Sequence, residues 1–79
     1  MSKYDPLFEW LAEQTTNRIP VTFGQVATVL GFDLPKSSTT HPQWWANHPG
    51  QPQARAWLTA GFRTEDVDVA AETVVFVRS

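Results

Sequence analysis

The segment that most constrains this chain runs from Thr22 to Gly31. Thr22-Phe23-Gly24-Gln25 is a capping box: the Thr22 side chain can accept from the third backbone N–H of a helix while Gln25 reaches back to the cap. Val21 and Val26 stand at the two positions of a hydrophobic staple. Phe23, Val26, Ala27 and Leu30 make one apolar stripe. Gly31 suits the left-handed residue after a helix, and Phe32 can pack back on the last turn. A helix over 23–30 is therefore bounded at both ends and must bury one face. The short connection Phe32-Asp33-Leu34-Pro35 then turns the chain back.

Beyond that turn, Leu34 to Asn47 is the most unusual stretch. It holds four consecutive hydroxyl residues, Ser37 to Thr40, then His41, and two adjacent tryptophans, Trp44 and Trp45. Ser37 can cap one helix start; Thr40 can cap another, with Gln43 completing a second capping box and Pro42 in the first turn. Either start predicts helix or helix end through Trp44-Trp45. Neighbours on a helix stand about 100° apart. One tryptophan therefore faces the core, and the other lies nearer the surface or bridges to the next helix. Asn47 is either a helix-end cap or a polar contact.

The remaining elements are simpler. Asp5-Pro6 predicts a helix start with Asp5 as cap, and Leu7, Phe8, Trp10 and Leu11 continue it over 6–15, with Trp10 in the core. Ile19-Pro20-Val21 suits a brief edge strand because proline lacks an N–H. His48-Pro49-Gly50-Gln51-Pro52 is a turn, and Pro52 opens a helix over 52–60 with Ala54, Trp57, Leu58 and Ala60 inward. From Phe62 the period becomes two, Ala70-Ala71-Glu72 makes a turn, and Thr73 to Val77 is a β-branched strand. A chain of 79 residues makes a single domain, 1–79. The order predicts an α+β domain of winged helix-turn-helix type, its helices packed on a short sheet closed by a C-terminal hairpin. The second helix of the helix-turn-helix pair would run through Trp44-Trp45.

Charge narrows the function. The net charge is −2, yet no Asp or Glu falls between Leu34 and Thr64, a window holding Lys36, His41, His48, Arg55 and Arg63. One face can thus be mildly positive while the rest is negative. Cysteine is absent, so there is neither disulfide nor thiolate metal site. His41 and His48 have no nearby carboxylate, so no metal is expected. No catalytic triad order, phosphate-binding glycine loop or buried carboxylate pair stands out. No enzyme activity and no cofactor are expected. No apolar run reaches membrane-spanning length, and the N-terminus lacks the apolar core of a signal peptide. A cytoplasmic protein with no membrane partner is expected.

Nucleic acid, DNA first, is the leading expectation for a ligand. The second helix of a helix-turn-helix pair enters the major groove. Hydroxyls and backbone N–H groups at a helix start suit phosphate oxygens. The candidate contacts are Lys36, Ser37, Ser38, Thr39, His41, Trp45, Asn47, Arg55 and Arg63. So few cations predict weak, salt-sensitive binding. The alternative is a protein-interaction adaptor or inhibitor that uses the tryptophan-rich surface, with a protein partner or as a homodimer.

Several stretches together resemble a small bacterial family of domains of unknown function. They are Lys3 to Leu7, Phe23 to Gly31, Leu34-Pro35-Lys36-Ser37, Trp44-Trp45-Ala46-Asn47, Gln53-Ala54-Arg55-Ala56-Trp57, Ala60-Gly61-Phe62 and Val74 to Arg78. The family hallmark runs roughly LPxSA, WWxN, ARAW and AGW before a terminal strand, and the likeness covers nearly the whole chain. Members occur alone or beside other domains, some nuclease-like, which implies nucleic-acid work. Carried over by position, the signature residues are Leu34, Pro35, Ser37, Trp44, Trp45, Asn47, Arg55, Trp57 and Gly61. The chain departs at Ser38, where the family commonly has alanine, and at Thr39, Thr40 and Pro42, where basic or aromatic residues are usual. Those departures remove cations from the expected recognition helix.

Overall fold

The computed structural model describes residues 2–79. Their elements are α1 (Asp5–Ala12), β1 (Arg18–Thr22), α2 (Phe23–Leu30), α3 (Ser37–Thr40), α4 (Pro52–Thr59), β2 (Phe62–Asp68) and β3 (Thr73–Arg78), with a 3-10 turn at Pro42–Trp45. The strands pair antiparallel in the order β1-β3-β2, so β1 is an edge as Pro20 requires. The domain is α+β, with its helices on one face of the sheet.

Helix α2 follows from its signals. The Thr22 hydroxyl accepts from the Gln25 N–H at 3.0 Å, and the Gln25 carboxamide oxygen accepts from the Thr22 N–H at 2.8 Å. Gly31 closes the helix at φ 83°, a conformation without penalty only for glycine. The Phe23 N–H has no partner within the helix; it donates to the Glu72 carbonyl at 2.8 Å and so ties the hairpin tip to the helix start. Replacing Thr22 with alanine removes one arm of the box and is expected to lower stability by about 1 kcal/mol in urea denaturation. A loss of only a few tenths would show that the Glu72 contact, not the box, sets this helix start.

Two helices differ from expectation at their ends. Asp5 is the first helical residue of α1 rather than its cap; Tyr4 holds the cap position, and the Asp5 carboxylate accepts from the Ser2 N–H at 3.3 Å. Helix α1 stops at Ala12 because Arg78 claims the following loop. Its guanidinium donates to the Gln14 carbonyl at 2.9 Å and to the Asn17 side chain at 3.1 Å. The larger correction concerns the expected helix through Trp44-Trp45. Helix α3 spans only Ser37–Thr40, and His41 is extended at φ −128°, ψ 112° before the 3-10 turn begins. Pro42 causes the break, since the ring of a proline disfavours helical geometry in the residue before it. Neither Ser37 nor Thr40 caps a helix; the Thr40 hydroxyl instead donates back to the Lys36 carbonyl at 3.1 Å.

The sheet turns Ile19, Val21, Phe62, Thr64, Val74 and Phe76 inward, in a register that pairs Ile19 and Thr64 with Phe76. An unbroken alternation from Phe62 would also turn Asp66 inward and Val67 out. A bulge between Glu65 and Asp68, with Asp66 at φ 51°, inserts one residue and reverses this. Val67 packs on the core and Asp66 faces solvent. The core joins these strand residues to Leu7 and Leu11 of α1, Phe23, Val26 and Leu30 of α2, and Ala54 and Trp57 of α4. Trp45 sits in its middle, stacked on Phe23 at 4.5 Å and on Trp57 at 6.1 Å. Trp10, expected in the core, is only partly buried against it.

Candidate functional site

The residues expected to meet a ligand fall into three groups. The first is Lys36 to His41. Lys36 and His41 are exposed. The hydroxyls beside them are turned back on the chain. Ser38 is fully buried and its hydroxyl donates to the Pro35 carbonyl at 2.7 Å. The Thr39 hydroxyl donates to the Lys36 carbonyl at 2.9 Å. Both hydroxyl protons are therefore committed within the turn, and Ser38 cannot reach a phosphate. Ser37 remains half-buried.

The second group is the tryptophan and asparagine cluster. Trp45 is 1% exposed, and its indole N–H donates to the Ser38 carbonyl at 2.9 Å. It cannot stack a base, which corrects its assignment as a ligand contact. The half-buried partner of the pair is Trp44, edge-on to Tyr4 at 6.2 Å and to Trp45 at 4.7 Å. Asn47 is bound to the fold through both ends of its carboxamide. Its oxygen accepts from the Trp57 indole N–H at 2.9 Å and from the Thr64 N–H at 2.8 Å. Its amide donates to the Thr64 carbonyl at 3.1 Å. Asn47 thereby pairs with the free edge of β2 as a neighbouring strand would, satisfying backbone groups that need partners. The Thr64 hydroxyl donates to the Trp45 carbonyl, closing the network.

The third group is the arginines. Arg63 and Arg18 lie on the outer face of the sheet with Val77 between them. Arg63 meets Glu65 at 2.6 Å, and Arg18 meets Glu65 at 3.6 Å and Asp66 at 2.9 Å. Such exposed pairs add little stability, yet they neutralise both cations locally. Arg55 projects from α4 and donates to the Pro49 carbonyl at 3.3 and 3.2 Å. Of the expected basic face, Lys36, His41 and His48 are exposed and outside any ion pair among the described residues, and Arg55 is tethered to the Pro49 carbonyl.

What brings side chains together instead is a groove between α1 and α4, a cavity of about 390 Å³. Phe8, Pro52 and Ala56 supply its apolar surface. Asp5 and Glu9, one turn apart, line the α1 wall, and Arg55 lines the α4 wall. Two further residues escaped the sequence reading. Gln53 is buried and donates to the Trp44 carbonyl at 3.0 Å, holding the 3-10 turn against α4. Arg78 places its guanidinium 4.5 Å over the Phe62 ring and covers the end of the core. The only signals for either were a glutamine inside an apolar helix face and a cation ending an apolar strand.

Among the described residues, no cluster of His, Asp and Glu could hold a metal ion. No described helix is long and apolar enough to cross a membrane.

The model of one sequence family, described as "Domain of unknown function (DUF7662)", matches residues 4–79, and the chain belongs to that family. No curated protein and no solved structure matches it significantly.

Proposed function

We propose that this member of a family of unknown function is a non-catalytic binding domain that docks a segment of another protein in the groove between α1 and α4. The observation that carries this reading is the groove itself: an open apolar concavity of about 390 Å³ flanked by charged side chains of both signs. Exposed apolar concavities with a polar rim mark interaction sites. The signature tryptophans and Asn47 then serve the fold, and the groove between α1 and α4 serves the partner.

A nucleic-acid reading has one observation in its favour. The order of helix, strand, helices and hairpin suits a winged helix, in which α4, running directly into the hairpin, would be the helix offered to a major groove. The charges oppose it. The groove-facing side of α4 shares its cavity with Asp5 and Glu9, which would repel phosphates, and Arg63 is held by Glu65.

Two measurements decide between these readings. The first is titration of the domain with duplex and single-stranded DNA at low and physiological salt, read by tryptophan fluorescence. The expected result is no salt-sensitive response. A response lost in the Lys36, Arg55 and Arg63 triple alanine variant would establish phosphate contacts instead. The second places a photo-crosslinking residue at Phe8, or at exposed Thr28 on α2 as control, in cells that encode the protein. A protein adduct from position 8 alone is expected. A nucleic-acid adduct, or equal adducts from both positions, would overturn protein docking.

A further inference from the structure

The charge distribution around the groove points to the kind of partner it takes. Every ion pair among the described residues lies on the outer face of the sheet, in the Arg18, Arg63, Glu65 and Asp66 cluster. Neither Asp5 nor Glu9 belongs to one. Among the described residues the Asp5 carboxylate accepts one hydrogen bond, from the Ser2 N–H at 3.3 Å. Glu9 is exposed and takes part in no side-chain hydrogen bond among the described residues. Arg55 could have neutralised them across the groove. It is turned instead onto the Pro49 carbonyl through Nε and Nη2. The α1 wall therefore carries two carboxylates one helical turn apart that form no ion pair among the described residues, beside the apolar surface of Phe8 and Ala56.

We propose, building on the protein-docking reading, that the occupant is a basic amphipathic segment of a partner protein. It presents one large apolar side chain to Phe8, Pro52 and Ala56, and a lysine or arginine about one helical turn away to Asp5 and Glu9. The cavity is a concave feature of about 390 Å³, room for one or two large side chains and not for a whole element of structure. Its concavity argues against a second copy of this chain, whose matching surface would be the same hollow. A small polar metabolite fits poorly, because small-molecule sites converge several placed polar groups on the ligand, and here the polar groups stand only on the walls. A partner cation desolvated against two carboxylates makes charge-assisted hydrogen bonds and selects against acidic competitors. The mode is a helix lying across the mouth of the groove, with one dominant anchor side chain entering it.

The test uses two synthetic amphipathic peptides with the same leucine spacing, one flanked by lysine and arginine and the other by glutamate. Each is titrated into the isotope-labelled domain and followed by NMR. The basic peptide is expected to shift the amides of α1 from Asp5 to Glu9 and of α4 from Arg55 to Thr59. It should bind about tenfold tighter than the acidic one, the equivalent of roughly 1.4 kcal/mol. The double variant Asp5→Asn, Glu9→Gln should erase most of that difference without unfolding the domain, since it keeps side-chain size and the fold makes little use of either carboxylate. Arg55→Ala should leave the preference in place. Equal or stronger binding of the acidic peptide, shifts centred elsewhere, or no shift with either peptide would overturn the proposal. A partner captured at position 8 whose contact segment lacks cations would overturn it too, and would leave the protein-docking reading intact. A nucleic-acid adduct there removes both.

Discussion

Trp45→Ala is expected to remove about 3–5 kcal/mol of stability, the range for truncating a buried aromatic. A domain of this length has a total of roughly 4–12 kcal/mol, from about 0.05–0.15 kcal/mol per residue. The variant should therefore be partly unfolded at room temperature, or show a midpoint lowered by about 12–40 °C, at about 4–8 °C per kcal/mol. The reason is position. The ring stacks between Phe23 and Trp57 and meets Trp44 edge-on, so its removal opens a cavity shared by α2, α4 and the 3-10 turn. Its indole N–H also satisfies the buried Ser38 carbonyl. Trp45→Phe keeps the stacking and loses the hydrogen bond, so it should cost less than half as much. Thermal and urea denaturation followed by circular dichroism measure both. Near-native stability of Trp45→Ala would contradict the burial of this side chain and reopen its role at a surface.

Asn47→Ala is expected to be nearly as severe for its size, with a loss of about 2–4 kcal/mol. The side chain itself is exposed, so little apolar burial is lost. The loss comes from its partners: the Trp57 indole N–H, on a residue with no exposed surface, and the N–H and carbonyl of Thr64. Each buried group left unpaired costs about 1–3 kcal/mol, reduced where water can enter. Asn47→Asp keeps the acceptor for Trp57 and Thr64 but places an oxygen against the Thr64 carbonyl, so it should recover only part of the stability. NMR gives a direct readout, since hydrogen exchange at the Trp57 indole should accelerate in the alanine variant. Unchanged exchange together with a loss under about 0.5 kcal/mol would free Asn47 for the ligand contact its sequence position suggested.

These two residues show where sequence reading reached and where it stopped. The pairing of WWxN with ARAW was visible as a unit, and an approximate 100° rotation between neighbours required the two tryptophans to differ in burial. Which one is buried was not readable, because it depends on Pro42. That proline ends α3 at Thr40 and sets the pair on a 3-10 turn, so the expected helical geometry does not apply. The four hydroxyls looked equally available, because nothing in their order reveals that the Lys36 and Pro35 carbonyls take three of them, those of Ser38, Thr39 and Thr40. Arg63 looked like a free cation within an acid-free window, and Glu65, two residues later on the same strand face, closes on it.

Local elements were determined by the chain itself. The capping box and Gly31 bound α2 at its expected residues, Pro20 confines β1 to an edge, and Pro52 opens α4, because each acts through backbone geometry within a few residues. Tertiary structure decided the rest. The Asp66 bulge, the strand-like pairing of Asn47 with Thr64, the Arg78 cover over Phe62 and the groove between α1 and α4 all join residues far apart in sequence. A side chain's availability to a ligand is a property of what packs against it, and only the folded chain brings those neighbours together.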